Sequence, residues 1–240
     1  MRERDVTKSA FLAAVLARCI AGSGSVAVGS NSPIPAAAAL LAEHKAAGRL
    51  TVFILGSPRH NPFTDGGREM FDFAAQGRLD SFFLGGGEID GTGDINLLRT
   101  GDHRFPGCYG APYLMALVPN IVLFREEHSR RVLVPRVDFV SARGSGPEGA
   151  YRTGGPKSLV TGRAVFRFTD GGFTLVSCHP GETVETIRAE TGFDFAVAAD
   201  PRPTEGPTDE DLQLLQGPIA SALAPLYPRF TARLLRGSHA

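Results

Sequence analysis

Residues 84–111 read LGGGEIDGTGDINLLRTGDHRFPGCYGA, and they alternate glycine-bearing turns with short apolar runs before ending in a glycine-rich loop. In that loop Gly107 and Gly110 permit a positive φ and the close approach of another molecule, while Pro106 and Pro112 restrict the chain on either side. Such a loop suits an oxyanion hole, in which main-chain N–H groups point at charge that develops on a thioester carbonyl. Taken singly, each glycine is better explained by a tight turn between a strand and a helix.

The regions on either side alternate helical patterns with strand patterns, which is typical of a mainly parallel sheet with helices on both faces. Asp170, Gly171 and Gly172 predict the turn of an added antiparallel hairpin. The predicted strands cover residues 25–29, 51–55, 81–84 and 120–124. Four helices are predicted. The first is capped by Thr7, the second and third cover residues 36–47 and 68–76, and the fourth begins at a cap at Thr208. The fold class that follows is α/β, an open and mainly parallel sheet with helices on both faces and an antiparallel hairpin.

Composition is typical of a single domain that stays in the cytoplasm. At 240 residues the chain is within the range in which α/β folds form one core, so we expect one domain over residues 1–240, with a tail from about residue 201 that wraps a partner. The 25 basic and 25 acidic residues balance, so neither a nucleic acid nor a membrane is expected as a partner. Residues 1–10 lack the pattern of a signal peptide, and no apolar run is long enough to span a bilayer.

The cysteine pattern excludes two common roles. Cys19, Cys108 and Cys178 are widely spaced and form no CxxC pair, so we expect reduced thiols and neither a disulfide framework nor a metal site. Cys19 falls on the predicted first helix as a small core residue. Cys108 lies inside the glycine loop, where a small buried hydrophobic group is the commoner role and a thiol that faces a ligand is the alternative.

Four motifs occur in a fixed order between residues 83 and 193. They read FLGGGEIDGTGDIN at 83–96, FPGCYGA at 105–111, HSRRVLVPRVDFV at 128–140 and HPGETVETIRAETGF at 179–193. Together they resemble the β-type subunit of family I CoA-transferases, especially the glutaconate CoA-transferase branch with its hydrolase and decarboxylase relatives. The resemblance covers roughly residues 7 to 195, and it implies an α/β fold of the CoA-transferase β-subunit type. The order of four motifs is far more specific than any one of them. Within the last motif, we expect His179 to fix the turn from a strand to a helix.

The resemblance implies an α-type partner chain in an α2β2 assembly, a shared active site, and an acyl-CoA thioester as the substrate, with no permanently bound cofactor. In the family, a glutamate in the loop after the second strand attacks the thioester and becomes a glutamyl-CoA thioester through an anhydride. This chain has no carboxylate between Leu50 and Phe63, and Leu55 or Gly56 stands at the position of the nucleophile. We therefore predict a non-transfer reaction: hydrolytic C–C cleavage, hydration-type chemistry or decarboxylation.

Two loops supply the candidate site residues. The loop after the second strand offers a hydroxyl, a carboxylate-binding guanidinium and an imidazole, at the strand end where parallel sheets bind ligands. The glycine loop resembles the oxyanion motif of the family, with a tyrosine in place of a glycine, and its phenol can hydrogen-bond a substrate carbonyl or carboxylate. The candidate catalytic residues are Ser57, Arg59, His60 and Tyr109, and the candidate oxyanion or acyl-CoA-binding residues are Gly107, Cys108, Gly110, Ala111, Gly86 and Glu88.

Two alternatives stay open at this point. A displaced carboxylate, Asp65 or Glu69, would allow true CoA transfer, although Glu69 is also typical of an acid in the first turn of a helix. Alternatively, the chain is a catalytically silent subunit that stabilises an active α chain. A partner is also expected to cover an exposed apolar surface, which the pattern predicts at Leu114, Met115, Leu117 and Val118.

Overall fold

A computed structural model describes residues 7–65, 67–147 and 149–236 of the chain. The helices are α1 (Lys8–Cys19), α2 (Pro33–Lys45), α3 (Arg68–Ala75), α4 (Ala111–Leu117), α5 (Val184–Glu190), α6 (Asp209–Leu214), α7 (Ala220–Leu223) and α8 (Pro228–Arg236), with a π-helical turn at Leu215–Ile219. The strands are β1 (Ser25–Val28), β2 (Thr51–Ile54), β3 (Ser81–Leu84), β4 (Glu88–Ile89), β5 (Ile95–Asn96), β6 (Arg99–Thr100), β7 (His103–Arg104), β8 (Asn120–Arg125), β9 (Pro156–Thr161), β10 (Ala164–Thr169), β11 (Gly172–Cys178) and β12 (Ala196–Pro203).

The chain divides into two compact units. Unit 1 comprises Met1–Pro62 and Glu205–Ala240, and unit 2 comprises Phe63–Thr204. The interpretation of residues 1–240 as a single domain stays a prediction. Among the helices of the described ranges, none combines the length with the apolar character that crossing a membrane requires.

Unit 1 is built on two helices and two strands from the first part of the chain. The predicted cap is confirmed, because Thr7 Oγ1 accepts a hydrogen bond from the N–H of Ala10 at 3.1 Å. Helix α2 begins at Pro33, three residues before the predicted start, since proline already has a helical φ and lacks the N–H that the first turn leaves unpaired. Strands β1 and β2 pair in parallel, from Ser25 opposite Thr51 to Val28 opposite Ile54.

The tail completes unit 1. Thr208 caps α6 in a capping box, in which Thr208 Oγ1 accepts from the N–H of Asp211 and the Asp211 carboxylate accepts from the N–H of Thr208. The tail buries the side chains of Leu212, Leu215 and Leu223. The tail therefore contributes apolar core within its own unit, and a role in wrapping a partner stays a prediction.

Six strands of unit 2 lie in the spatial order β12-β11-β10-β9-β8-β3, and its other four described strands form the two-stranded pairs β4–β5 and β6–β7. The pairs β3–β8, β8–β9 and β11–β12 are parallel, and β10 is antiparallel to β9 and β11. The predicted hairpin turn joins β10 to β11, where Asp170 and Gly171 have φ values of 52° and 77°. With the parallel β1–β2 pair of unit 1, these observations confirm the predicted fold class, a mainly parallel sheet with helices and an antiparallel hairpin.

The prediction of an exposed apolar surface at Leu114, Met115, Leu117 and Val118 is wrong. Leu114, Met115 and Val118 are buried, with at most 2% of each side chain exposed, and Leu117 is half-buried. The sequence pattern did not reveal that α4 turns its apolar face into unit 2. The exposed large hydrophobic side chains of the described ranges are instead aromatic: Tyr109, Tyr113, Phe139 and Tyr151.

Candidate functional site

The loop after β2 is organised by the hydroxyl of Ser57. Its Oγ accepts hydrogen bonds from the N–H groups of Arg59 at 3.3 Å and His60 at 3.1 Å, and it lies 3.4 Å from His60 Nδ1. The N–H of Ile54, the last residue of β2, donates to the carbonyl of His60 at 2.9 Å. The structure therefore brings three of the predicted residues into one tight turn, in which Ser57 is buried and Arg59 is exposed.

The electrostatic surroundings favour the neutral form of His60. Burial lowers the pKa of His60 below its ordinary value, the charge of Glu43 opposes this shift, and the charge of Arg59 reinforces it. A neutral imidazole at neutral pH can accept a proton. Arg59 forms no ion pair with any carboxylate in the described part of the chain, so its guanidinium keeps its full set of donors.

Gly56 stands between β2 and this turn with a φ of +82°. Residues other than glycine rarely adopt a positive φ, because their Cβ atom crowds the backbone. The backbone at position 56 is therefore suited to glycine rather than to a residue that carries a side chain. Leu55, the other position considered for the family nucleophile, is half-buried at the end of β2. Neither position supplies an ionisable group.

The two displaced carboxylates have local partners in unit 2. Glu69 Oε2 accepts from the N–H groups of Thr64 at 2.5 Å and Asp65 at 3.2 Å, and these bonds lower the pKa of Glu69. Asp65 forms an exposed ion pair with Arg68. A carboxylate whose anionic form is stabilised by hydrogen bonds is a weaker nucleophile, so Glu69 is better explained as a cap of the turn before α3.

The glycine loop leads into α4 with an unusual backbone. Gly107 has a φ of +126° and Tyr109 a φ of 45°, and the N–H of Ala111 donates to the carbonyl of Cys108 at 2.9 Å. Within residues 7–65, 67–147 and 149–236, the N–H groups of residues 107–110 donate to no acceptor. Unpaired main-chain donors are the groups from which an oxyanion hole is built.

Gly110 differs from the prediction made for it. Its φ is −93°, so a positive φ does not explain the glycine. Instead, a methyl group at Gly110 would overlap the ring of Phe71 on α3, and the phenol of Tyr109 lies over Gly67 in the same way. The ring centroids of Phe71 and Tyr109 are 5.3 Å apart. Close packing on α3 therefore holds the loop, while 69% of Tyr109 stays exposed.

Glu88 and Gly86 have roles inside unit 2. Glu88 is 3% exposed, and its Oε2 accepts from Asn96 Nδ2 at 2.7 Å and from the N–H of Asp138 at 2.9 Å. A Cβ at Gly86 would lie 2.5 Å from the carbonyl oxygen of Glu88. Both residues thus organise the turn after β3, and their predicted contact with acyl-CoA stays a prediction.

Sequence reasoning missed a buried histidine in unit 2. The Nδ1 of His128 lies 2.7 Å from Thr161 Oγ1, and its Nε2 lies 3.0 Å from Thr191 Oγ1. Because the Thr191 hydroxyl donates to the carbonyl of Ile187, it accepts from Nε2–H, which leaves Nδ1 as an acceptor on a neutral ring. Burial, reinforced by Arg163, lowers the pKa of His128 to about 4. No spacing signal in the third motif distinguishes this role.

His179 has the positional role that the sequence predicts. Its Nδ1 lies 2.9 Å from Thr204 Oγ1, and its Nε2 donates to the carbonyl of Thr161 at 3.0 Å. Thr161 therefore joins both buried histidines. In the described ranges, no group of three His, Cys, Asp or Glu side chains is placed to hold a metal ion.

Residues 8–190 match the Coenzyme A transferase family, and the chain belongs to that family. It is 30% identical to the B-type chain of 3-oxoadipate CoA-transferase from Pseudomonas knackmussii and 34% identical to the IpdB chain of the cholesterol ring-cleaving hydrolase from Rhodococcus jostii. Each of these matches covers 62% of this chain and 62% of the relative, so the chain spans less than two thirds of the length of these curated relatives.

Two solved structures have the same fold. The IpdAB structure from Rhodococcus jostii RHA1 is 26% identical with a TM-score of 0.77, and the match covers 98% of this chain and 100% of that one. The decarboxylase AibA/AibB is 27% identical with a TM-score of 0.74, over 96% of this chain and 99% of that one. The resemblance to B-type chains, including hydrolase and decarboxylase relatives, is confirmed.

We predict that Gly110→Ala destabilises unit 2 through the ring of Phe71. Overpacking of this kind typically costs about 1–3 kcal/mol. In the double variant that also carries Phe71→Ala, the overlap is removed. The loss of free energy of unfolding in the double variant should therefore be smaller than the sum of the losses in the two single variants. A double-mutant cycle by urea unfolding measures this coupling, and additive effects would show that Phe71 does not hold the loop.

We also predict a pH dependence of stability that originates at His128. Its folded pKa of about 4 is below its ordinary value of 6.5, so the unfolded chain binds the proton more readily. Stability is therefore complete above pH 6.5 and falls as the pH drops toward 4, by about 2 kcal/mol between pH 7.5 and 5. Urea unfolding of the chain and of His128→Gln checks this: the variant should lose that part of the slope, and an unchanged slope would contradict the assignment.

Proposed function

We propose that this chain is the β-type subunit of a CoA-transferase-family hetero-oligomer that acts on an acyl-CoA thioester by a non-transfer reaction. Hydrolytic C–C cleavage, hydration-type chemistry and decarboxylation are the reaction classes proposed. The α-type partner and the α2β2 assembly belong to the same proposal. The hydrolase and decarboxylase names among the relatives support it, because they place such reactions within one fold.

The observation that carries the proposal is the loop after β2. Residues 50–63 contain no carboxylate, Gly56 has a left-handed φ, and Ser57 binds the turn that follows. A glutamyl-CoA intermediate requires a carboxylate that reaches the thioester. Glu69, the nearest glutamate after the loop, caps its own turn. The local structure thus favours a reaction without covalent transfer to this chain.

Each unit offers one chemical function. In unit 1, Arg59 is proposed to bind a carboxylate of the acyl group through its planar fork, and neutral His60 to accept a proton from water or from substrate carbon. In unit 2, the unpaired amides of residues 107–110 are proposed to stabilise negative charge on a thioester oxygen or enolate. Tyr109, exposed beside them, is proposed to donate its phenol hydrogen to the substrate.

Mass spectrometry tests the absence of covalent transfer. After incubation of the chain and its co-expressed α-type partner with succinyl-CoA or glutaryl-CoA, we expect no CoA adduct on this chain. Peptide mapping would locate any adduct. A CoA thioester at Asp65 or Glu69, lost in Glu69→Gln or Asp65→Asn, would overturn the proposal and establish transfer by a displaced carboxylate. If the two chains purify as separate monomers, the proposed assembly is wrong.

The role of Arg59 is tested by substrate choice. Arg59→Ala should raise KM for a carboxylated acyl-CoA about tenfold, because a hydrogen bond to a charged group contributes about 1.5–3 kcal/mol. The KM for butyryl-CoA, whose acyl group lacks a carboxylate, should be the same in Arg59→Ala and in the wild type. Arg59→Lys should recover only part of the loss, since lysine lacks the planar fork.

Arg233→Ala, which removes an exposed arginine on α8, is the matched control and should retain the wild-type kinetics. Equal KM changes for both substrates would mean that Arg59 does not recognise a carboxylate. If Arg59→Ala and His60→Ala both leave turnover unchanged, the chain is better explained as a catalytically silent subunit.

A further inference from the structure

Unit 1 contains a cavity that the proposed chemistry does not use. It has a volume of about 360 Å³, within the range of small-molecule sites. Its floor is apolar and buried, and it is formed by side chains of α1 and α2 and of the residues that directly follow α1 and directly precede β2. The floor residues are Ala14, Ala17, Ile20, Leu41, Ala42 and Leu50.

The rim of this cavity carries three cations, Arg18, Lys45 and Arg49, and no acidic residue of the described ranges lines it. The tail fixes two of the three. Arg18 donates to the carbonyl oxygens of Glu205 and Gly206, and Lys45 lies 2.5 Å from a carboxylate oxygen of Asp211.

The positive charge of the rim is not balanced. Arg18 and Arg49 form no ion pair in the described part of the chain, so only Lys45 has a counter-charge there. Arg49 is anchored through its Nε, which donates to the carbonyl of Ala46 at 3.1 Å, and its terminal nitrogens are left for another acceptor. An apolar floor below two guanidinium groups that have no carboxylate partner in the described part of the chain is complementary to an aliphatic chain that ends in an anion.

The cavity lies apart from the loop that carries Ser57. Gly24 and Leu50, which line it, immediately precede β1 and β2, whereas Ser57 follows the end of β2. The two strands are parallel, so their starting ends share one side of the pair. A four-residue strand separates the two places by roughly 13 Å. A ligand in the cavity would therefore leave the Ser57 loop accessible.

We propose that this cavity, defined by its rim Arg18, Lys45 and Arg49, binds a medium-chain aliphatic carboxylate. The alkyl chain lies on the alanine and leucine floor between α1 and α2, and the carboxylate accepts hydrogen bonds from Arg49 and Arg18. The site is independent of the thioester chemistry and holds whether or not the chain acts on acyl-CoA. Its ligand class is the free acid rather than the thioester, since the rim recognises a charged head group.

Isothermal titration of the 240-residue chain with octanoate, below its critical micelle concentration, tests the site. Octanoate should bind, and 1-octanol, which has the same apolar body without the charge, should bind about tenfold more weakly. Arg49→Gln should weaken octanoate binding by a similar factor. Ala17→Leu should abolish it by filling the floor.

Arg229→Gln on α8 removes an exposed arginine of the same unit outside the cavity, and it should bind octanoate like the wild type. Arg49 is exposed at the rim, so Arg49→Gln is expected to fold even if Ala17→Leu does not. Absent binding of octanoate, equal binding of octanoate and 1-octanol, or equal losses in Arg49→Gln and Arg229→Gln would each overturn the proposal.

Discussion

Close packing against glycine backbone is the constraint on which unit 2 depends. A Cβ at Gly110 would overlap Phe71, one at Gly144 would overlap the carbonyl of Thr92, and one at Gly192 would overlap the carbonyl of Leu133. Each contact fastens a loop to a neighbouring element at a distance that other residues do not permit. The loops that follow β3 and β8 can therefore be long and still have a defined path.

This constraint separates the glycines of residues 84–111 into two groups. Most are occupied by their own chain, as Gly87 is by the ring of Phe105. Gly101 and Gly107 are different, because each has a positive φ, of 54° and 126°, and open space where a side chain would be, and of the two only Gly107 lies in the glycine loop that leads into α4. A backbone that is conformationally special and sterically open is the part of the loop best suited to meet another molecule. The remainder of the stretch serves mainly to hold that segment in place.

Buried polar groups impose a second requirement on unit 2. The Glu88 carboxylate accepts hydrogen bonds from Asn96 Nδ2 and from the N–H of Asp138, and the imidazole of His128 lies between two threonine hydroxyls. Removal of one partner would leave a desolvated group unpaired, which costs more than the bond itself contributes. Such networks strongly stabilise one arrangement of the loops, which gives Glu88 and His128 a structural role in unit 2.

The sequence by itself determined the helices and strands up to β3, strand β8, the hairpin turn at Asp170 and Gly171, the caps at Thr7 and Thr208, and the absence of a carboxylate after β2. These features depend on local backbone preferences and on periodicity, which a single sequence expresses directly. It did not determine that Leu114, Met115 and Val118 face inward, that Gly110 is required by Phe71, or that Glu69 caps a turn. Only the tertiary structure decided those points, because they depend on which side chain from a distant part of the chain, or from the next turn, occupies the space beside each residue.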